Sequence, residues 1–277
     1  MIRGTTTLIA HIGYPTAAFK APMIYNPYFE KEGVDAIVIP MGVKPAVFPE
    51  VFASIFKLTN IRGALITMPH KVTVAGLLDE VTPAVEIAGS CNAVLLRPDG
   101  TLLGDMFDGA GFVRGVQRKG CNLKGAKVLV VGSGGVGSAI AASLAAAGIG
   151  AIGLYDINEA SGNALGERMS KHYPALKVTT GGRDPEGYDV VVNATPLGMN
   201  KGDPMPVDVS RIAPSTFVGE VVMKQEMTAF LQAAKERGCA YQIGTDMLFE
   251  QIPAYLEFFG FPTTTPELLR SVARLSY

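Results

Sequence analysis

A glycine-rich turn, Gly132-Ser133-Gly134-Gly135-Val136-Gly137, follows directly on the apolar run Val128-Leu129-Val130-Val131. Glycines in such a place permit a tight turn and let bare backbone approach a pyrophosphate. A helix that starts from the turn offers phosphate its unpaired N–H groups and the positive end of its dipole. The flanks supply that context: an apolar strand before the turn and a small-residue helix from Ser138 to Ala147 after it. Asp156 ends a second strand, Ala151 to Tyr155, ~20 residues past the glycines. An acid there accepts hydrogen bonds from the adenosine ribose and repels a 2′-phosphate, and Ile157-Asn158-Glu159 bring no arginine after it. The pattern predicts a dinucleotide cofactor, NAD in preference, with NADP left open. The plainer alternative is a structural glycine turn, with Asp156 as a turn residue or helix cap.

Other residues with chemistry lie at strand ends. Thr67-Met68-Pro69-His70-Lys71 closes the apolar run Gly63 to Thr67 with a hydroxyl, a rigid proline and a lysine. A lysine held at the carboxyl edge of an α/β sheet can donate and accept a proton, although alone it reads as a solvated helix-start charge. Gly104-Asp105-Met106-Phe107-Asp108-Gly109 sets two acids in a glycine-flanked turn, where either can also serve as a cap. Ser90-Cys91-Asn92-Ala93 precedes a further apolar run. Asn193-Ala194-Thr195-Pro196-Leu197-Gly198-Met199 follows Val190 to Val192, where a loop can touch the cofactor. Gly244 to Gln251 reads as a helix start, with Gln251 one turn in.

These residues need a scaffold, and the pattern of the chain supplies an α/β one. Apolar runs Thr7 to Ile12, Ala36 to Pro40 and Gly63 to Thr67 alternate with helical stretches Ala21 to Lys31 and Pro45 to Thr59, which implies parallel sheet. A second series begins near Lys127 and takes in Val178 to Thr180, Asp189 to Asn193, Thr216 to Val222 and Ala240 to Ile243. Gly109 to Lys119 reads as a connecting helix, and Asp246 to Phe259 with Pro266 to Ser276 as closing helices. The boundaries predicted are an α/β substrate domain over 1–108, a dinucleotide domain over 109–245, and a helical segment over 246–277 that packs back on the first.

The bulk numbers narrow the class. The 277 residues carry 24 Lys and Arg against 25 Asp and Glu, a net charge of −1 without a basic footprint for nucleic acid or an anionic membrane. Cys91, Cys121 and Cys239 are odd in number and scattered, as are His11, His70 and His172, so neither a disulfide framework nor a metal centre is expected. The uncharged stretch Val128 to Tyr155 is long enough for a membrane span, but its glycines and two buried parallel strands account for it. With no basic-then-apolar leader in the sequence, the expectation is a cytoplasmic protein, monomeric or homodimeric.

Taken in order, the motifs Gly13-Tyr14-Pro15, Thr67-x-Pro69-x-Lys71, Asn92, Gly104-Asp105-x-x-Asp108, the Gly132 turn, Asn193-Ala194-Thr195-Pro196-x-Gly198-Met199 and Gly244-x-x-Met247-Leu248-x-x-Gln251 resemble the shikimate dehydrogenase family over nearly the whole chain. The resemblance implies hydride transfer between a nicotinamide and a ring carbon bearing a hydroxyl or ketone, on a shikimate- or quinate-like ring acid. It implies Lys71 and Asp108 as acid–base pair, and Thr67, Asn92 and Gln251 as contacts to substrate hydroxyls. The cofactor would lie on Gly132 to Gly137 and Asp156, with Asn193, Ala194, Thr195, Pro196, Met199, Val221, Met223 and Gly244 around it.

The chain departs from that family at the substrate loop. Where the family offers two serines around a lysine before a proline, this chain has Phe19, Lys20, Ala21 and Pro22. Two hydrogen bonds to a carboxylate are lost, at about 1.5–3 kcal/mol each. Tyr25, Leu65 and Met223 replace a family His, Asn and Tyr, and Lys20 offers a cation or a solvated loop charge. The expectation is a paralogue for a modified, bulkier or less acidic ring acid. The alternative is a binding or sensing protein on the same fold.

Overall fold

The structure is a computed structural model that describes residues 2–17 and 19–275. The chain forms two compact units, Met1–Val85 with Gly89–Phe107 and Ile252–Tyr277, and Glu86–Ala88 with Asp108–Gln251. In chain order the first contains β1 (Thr7–Gly13), α1 (Pro22–Glu32), β2 (Ala36–Gly42), α2 (Phe48–Ile55), β3 (Ile61–Ile66), α3 (Lys71–Ala75), β4 (Glu80–Val81), most of α4 (Pro83–Ala88), β5 (Ala93–Leu96) and β6 (Leu102–Asp105). The second contains α5 (Asp108–Arg118), β7 (Lys127–Val131), α6 (Gly135–Ala146), β8 (Ala151–Tyr155), α7 (Glu159–His172), β9 (Lys177–Thr180), β10 (Val190–Asn193), β11 (Phe217–Glu220), α8 (Ala229–Glu236) and β12 (Tyr241–Gln242). Helix α9 (Gly244–Phe259) begins in the second unit and ends in the first, where α10 (Pro266–Val272) follows.

The sheet of the first unit runs β2-β1-β3-β5-β6-β4. The expectation of parallel pairing holds for β1 with β2 and β3, but β5 is antiparallel to both β3 and β6. The departure has a local cause: Arg97 to Thr101 makes a tight turn, with Gly100 at φ 88°, so the chain reverses without a crossover helix. The stretch from Pro45 also differs from a single helix. It opens as a 3₁₀ turn over Pro45–Val47, and Pro49, which has no N–H to donate, sits in the first turn of α2.

Helix α1 buries Ile24, Tyr25, Tyr28 and Phe29 against this sheet, and the end of the chain is bound to it. The Tyr28 hydroxyl donates to the Pro262 carbonyl at 2.7 Å, and Arg62 Nε to that of Phe259 at 2.7 Å. The Arg274 N–H donates to Met23 at 2.8 Å. Ser276, expected within the last helix, and Ala18 of the substrate loop lie outside the described residues.

In the second unit the six strands run β12-β11-β10-β7-β8-β9, all parallel. Strands β7, β10 and β11 are buried on both faces apart from the exposed Lys127, and their sequences are apolar except for Lys127 at the start of β7 and Asn193 and Glu220 at the ends of β10 and β11. The chain leaves β7 toward β8 and β9, then returns to β10 on the other side. The topological switch point therefore falls between β7 and β10, at the carboxyl edge where such sheets bind ligands. Helix α5, expected as a connector, packs on α6 within this unit.

Candidate functional site: a phosphate-binding turn and two strand-edge clusters

The glycine turn lies at that switch point. Gly132 has φ 106°, a left-handed conformation that suits glycine, and a Cβ there would stand 2.8 Å from the backbone of Ala194. A Cβ on Gly137 would run into the Gly132 carbonyl oxygen, so this position also needs glycine for the helix to start so close to the strand. The first α-helical bond of α6 is Ser138 N–H to Gly134 at 2.8 Å, which leaves the preceding N–H groups at the helix entrance without intrahelical partners. The Ser133 hydroxyl is buried and has no hydrogen-bond partner. Donors of this kind, at the start of a twelve-residue helix, fit a phosphate.

Beside the turn is a cavity of about 340 Å³ whose walls include Gly134, Tyr155, Asp156, Ile157, Thr195 and Pro196. Asp156 faces it while holding the turn in shape: Oδ2 accepts from Ser133 N–H at 2.7 Å and Oδ1 from Asn158 N–H at 2.8 Å. Its role as a turn residue is thus realised, and the helix cap falls to Asn158. Two bonds leave the carboxylate with lone pairs toward the cavity. Ile157 is 93 % exposed, an apolar side chain at the rim.

The opposite wall is the loop after β10. Asn193 is fully buried, and its amide organises the loop. Oδ1 accepts from the Thr195 N–H at 3.1 Å and hydroxyl at 2.6 Å, and Nδ2 donates to Leu197 at 2.9 Å. The face offered to the cavity is made by Ala194, Thr195, Pro196 and Leu197, while Met199 is exposed. Val221 donates its N–H to Asn193 at 3.2 Å, and Gly244 lies against the Val222 carbonyl with no room for a Cβ. These positions and the exposed Met223 follow the carboxyl ends of β11 and β12.

Sequence reasoning passed over Glu220. It pairs with Asn193 across β10 and β11 and is fully buried. Thr228 donates its hydroxyl to Glu220 Oε2 at 2.8 Å and accepts the Leu231 N–H at the start of α8, and Gly198 packs on Thr228. Burial pushes the carboxyl up to about 7, against the opposing pull of Thr228 and Asn193. An acid ending an otherwise apolar strand is the signal that marks it.

In the first unit the structure gathers Phe19, Thr67, Lys71 and Asn92 at one sheet edge. Thr67 N–H donates to Ile12 at 2.9 Å, Ile66 N–H to Asn92 at 2.8 Å and Cys91 N–H to Lys71 at 2.8 Å. His70 anchors the segment: it is buried, stacks on Phe48 at 3.9 Å and lies 2.8 Å from the Val43 carbonyl oxygen. Lys71 thereby starts α3 at a fixed place. Asn92 Oδ1 accepts the Phe107 N–H at 2.9 Å. The Phe19 ring stacks on His11, centroids 4.1 Å apart, and its tip comes within 2.8 Å of where a Gly13 Cβ would stand. Burial, and then the charge of Lys71, lowers the His11 pKa to about 4, so the imidazole is neutral. Lys20 and Ala21 precede α1, with Ala21 at its N-cap. The Tyr25 hydroxyl is buried without a partner.

Asp108 and Gln251 belong to the second unit. Asp108 is buried at the first turn of α5, where a carboxylate meets the positive end of the helix. Gln251 is buried with Oε1 unbonded.

A parallel sheet with a glycine-rich turn at its switch point in one unit, and a lysine at a sheet edge in the other, defines the class of two-unit α/β proteins with one dinucleotide-type unit. Comparison narrows it. The sequence profile of the shikimate dehydrogenase substrate binding domain matches residues 11–94, and that of the ThiF family residues 113–163. Shikimate dehydrogenase (NADP(+)) of Rubrobacter xylanophilus is 33 % identical over 258 residues, which are 90 % of this chain and 89 % of that protein. Shikimate 5-dehydrogenase of Listeria monocytogenes, solved with shikimate and NAD, superimposes with a TM-score of 0.91 at 25 % identity, over 98 % of this chain and 97 % of that one. Quinate dehydrogenase of Corynebacterium glutamicum, solved with NAD, gives 0.85 at 27 %, over 96 % and 98 %. The chain belongs to the shikimate dehydrogenase family.

Proposed function

We propose that the protein is a dehydrogenase that moves a hydride between NAD(P) and a shikimate-like hydroxylated ring. The observation that carries the reading is the glycine turn at the sheet's switch point, with α6's free N–H groups, the orphan Ser133 hydroxyl and the cavity beside them. When bound, the nicotinamide dinucleotide supplies the hydride or accepts it. The turn and α6 hold the pyrophosphate, Asp156 receives the adenosine ribose hydroxyls and so favours NAD, and Ala194 to Pro196 with Val221, Met223 and Gly244 shape the nicotinamide end. Lys71 gives its proton to the oxygen that becomes an alkoxide, and takes it back in the reverse direction. Asp108 is the second member of the acid–base pair, and Thr67, Asn92 and Gln251 bind ring hydroxyls.

The first unit is the substrate domain on this reading. Its Phe19–His11 corner presents aromatic faces and no hydroxyl at positions 19 and 21, which favours a ring whose acidic group is modified or absent. The test is reduction of NAD and NADP with shikimate, quinate and neutral or amidated ring analogues, read by absorbance of the reduced nicotinamide. Turnover with at least one is expected. Absence of hydride transfer in either direction, with dinucleotide still bound, would overturn the enzymatic reading in favour of a binding protein.

A further inference from the structure

The cavity beside the glycine turn is lined by two charged residues, Asp156 and Arg183. Arg183 comes from a part of the chain that the acid-after-β8 pattern does not reach, the loop after β9. Strand β9 pairs with β8, and the Gly181 N–H donates to Leu154 at 3.0 Å, which brings that loop alongside the carboxyl end of β8. From there the guanidinium stands 5.5 Å from the centre of the Tyr155 ring. Its other neighbours leave it uncommitted. Asp184 receives Arg211 in a two-pronged pair at 2.8 Å and 2.8 Å, and Glu186 is bound by the same arginine. The carboxylate of Asp156 is held by two backbone N–H groups. Arg183 makes no ion pair with any described residue.

A cation so placed changes what the cavity accepts. A lone acid at the end of β8 repels a 2′-phosphate, whereas a nearby arginine accommodates one. The planar guanidinium matches phosphate oxygens two at a time, and it shares the cavity wall with the Tyr155 ring it lies over. We propose that Arg183 is a 2′-phosphate recognition residue, so that this chain binds the 2′-phosphorylated dinucleotide through Arg183 as well as the unphosphorylated one through Asp156. The inference rests on the dinucleotide reading above and adds a cofactor determinant to it.

Calorimetric titration of the full chain with NAD+, NADP+, 2′,5′-ADP and 5′-AMP tests it on wild type, Arg183→Gln and Arg183→Lys. The side chain is exposed, and unchanged melting curves establish that the variants fold. Wild type is expected to bind both dinucleotides. Arg183→Gln should lower the NADP+ to NAD+ affinity ratio by about tenfold or more, with the same loss in 2′,5′-ADP relative to 5′-AMP, and Arg183→Lys should restore part of it. Affinity for 2′,5′-ADP should also fall more steeply with salt in wild type than in Arg183→Gln. An unchanged ratio, a wild type that does not bind NADP+, or equal weakening of both dinucleotides (an arginine that merely stacks on adenine) overturns the proposal. Failure of wild type to bind either dinucleotide overturns the functional reading itself.

Discussion

Replacing Glu220 by glutamine removes one buried titrating group beside Asn193 while keeping an oxygen for Thr228. The carboxyl rises from 4.5 to about 7 on folding because it is buried. Between those values the native state holds a proton that the unfolded chain has released, so native stability must fall as pH rises through that window. At 1.36 kcal/mol per unit the ceiling is about 3 kcal/mol, and residual solvation brings it nearer 1.5 kcal/mol. Urea unfolding followed by circular dichroism at pH 4.5 to 8 measures the effect. The difference between wild type and Glu220→Gln cancels every other titrating group, His11 included, to the extent that the sites are independent. That difference should move in favour of the variant by about 1.5–3 kcal/mol across the window and be flat beyond it. Parallel curves for the two proteins would refute a proton on buried Glu220.

Other substitutions probe the remaining parts. Lys71→Met should lower the hydride-transfer rate by about 10²–10⁴ while calorimetry still detects the dinucleotide; full activity would remove the lysine from the chemistry. Gly137→Ala drives a methyl into the Gly132 carbonyl, and should abolish dinucleotide binding and destabilise the second unit by about 1–3 kcal/mol in urea titrations. Phe19→Ser with Ala21→Ser should improve KM for shikimate at least tenfold by restoring two donors to a carboxylate; no gain would show that the Phe19–His11 corner does not select the substrate.

The second unit's βαβ frame was legible because its signal is local: strand, turn and helix lie within about thirty residues. The Asp156 carboxylate illustrates the limit. Its position at a strand end could be read, but its bonds to Ser133 and Asn158 depend on how the turn folds back. Arg183 escaped notice because only the β8–β9 pairing brings it near Asp156. Glu220 did so because Asn193 and Thr228 meet it through tertiary packing. The substitution at Phe19 was visible as a missing hydroxyl; its partner His11, on another element, was not. In the first unit, alternation alone did not distinguish a β5–β6 hairpin from crossovers, since the turn at Gly100 decides it.

Helix α9 gives the chain a nested order: the first unit opens the sequence and closes it, with the second inserted between. During synthesis, residues 108–251 are complete before the segment that carries Phe259, Pro262 and Arg274 emerges. The dinucleotide unit can therefore condense on the ribosome while α1 and β3 still lack the partners that bind Tyr28 and Arg62. A ribosome stalled or a protease cutting just after Gln251 would leave one folded half and one that chaperones must hold. Vulnerability to quality control thus gathers in the segment after Gln251, outside the unit that carries the glycine turn.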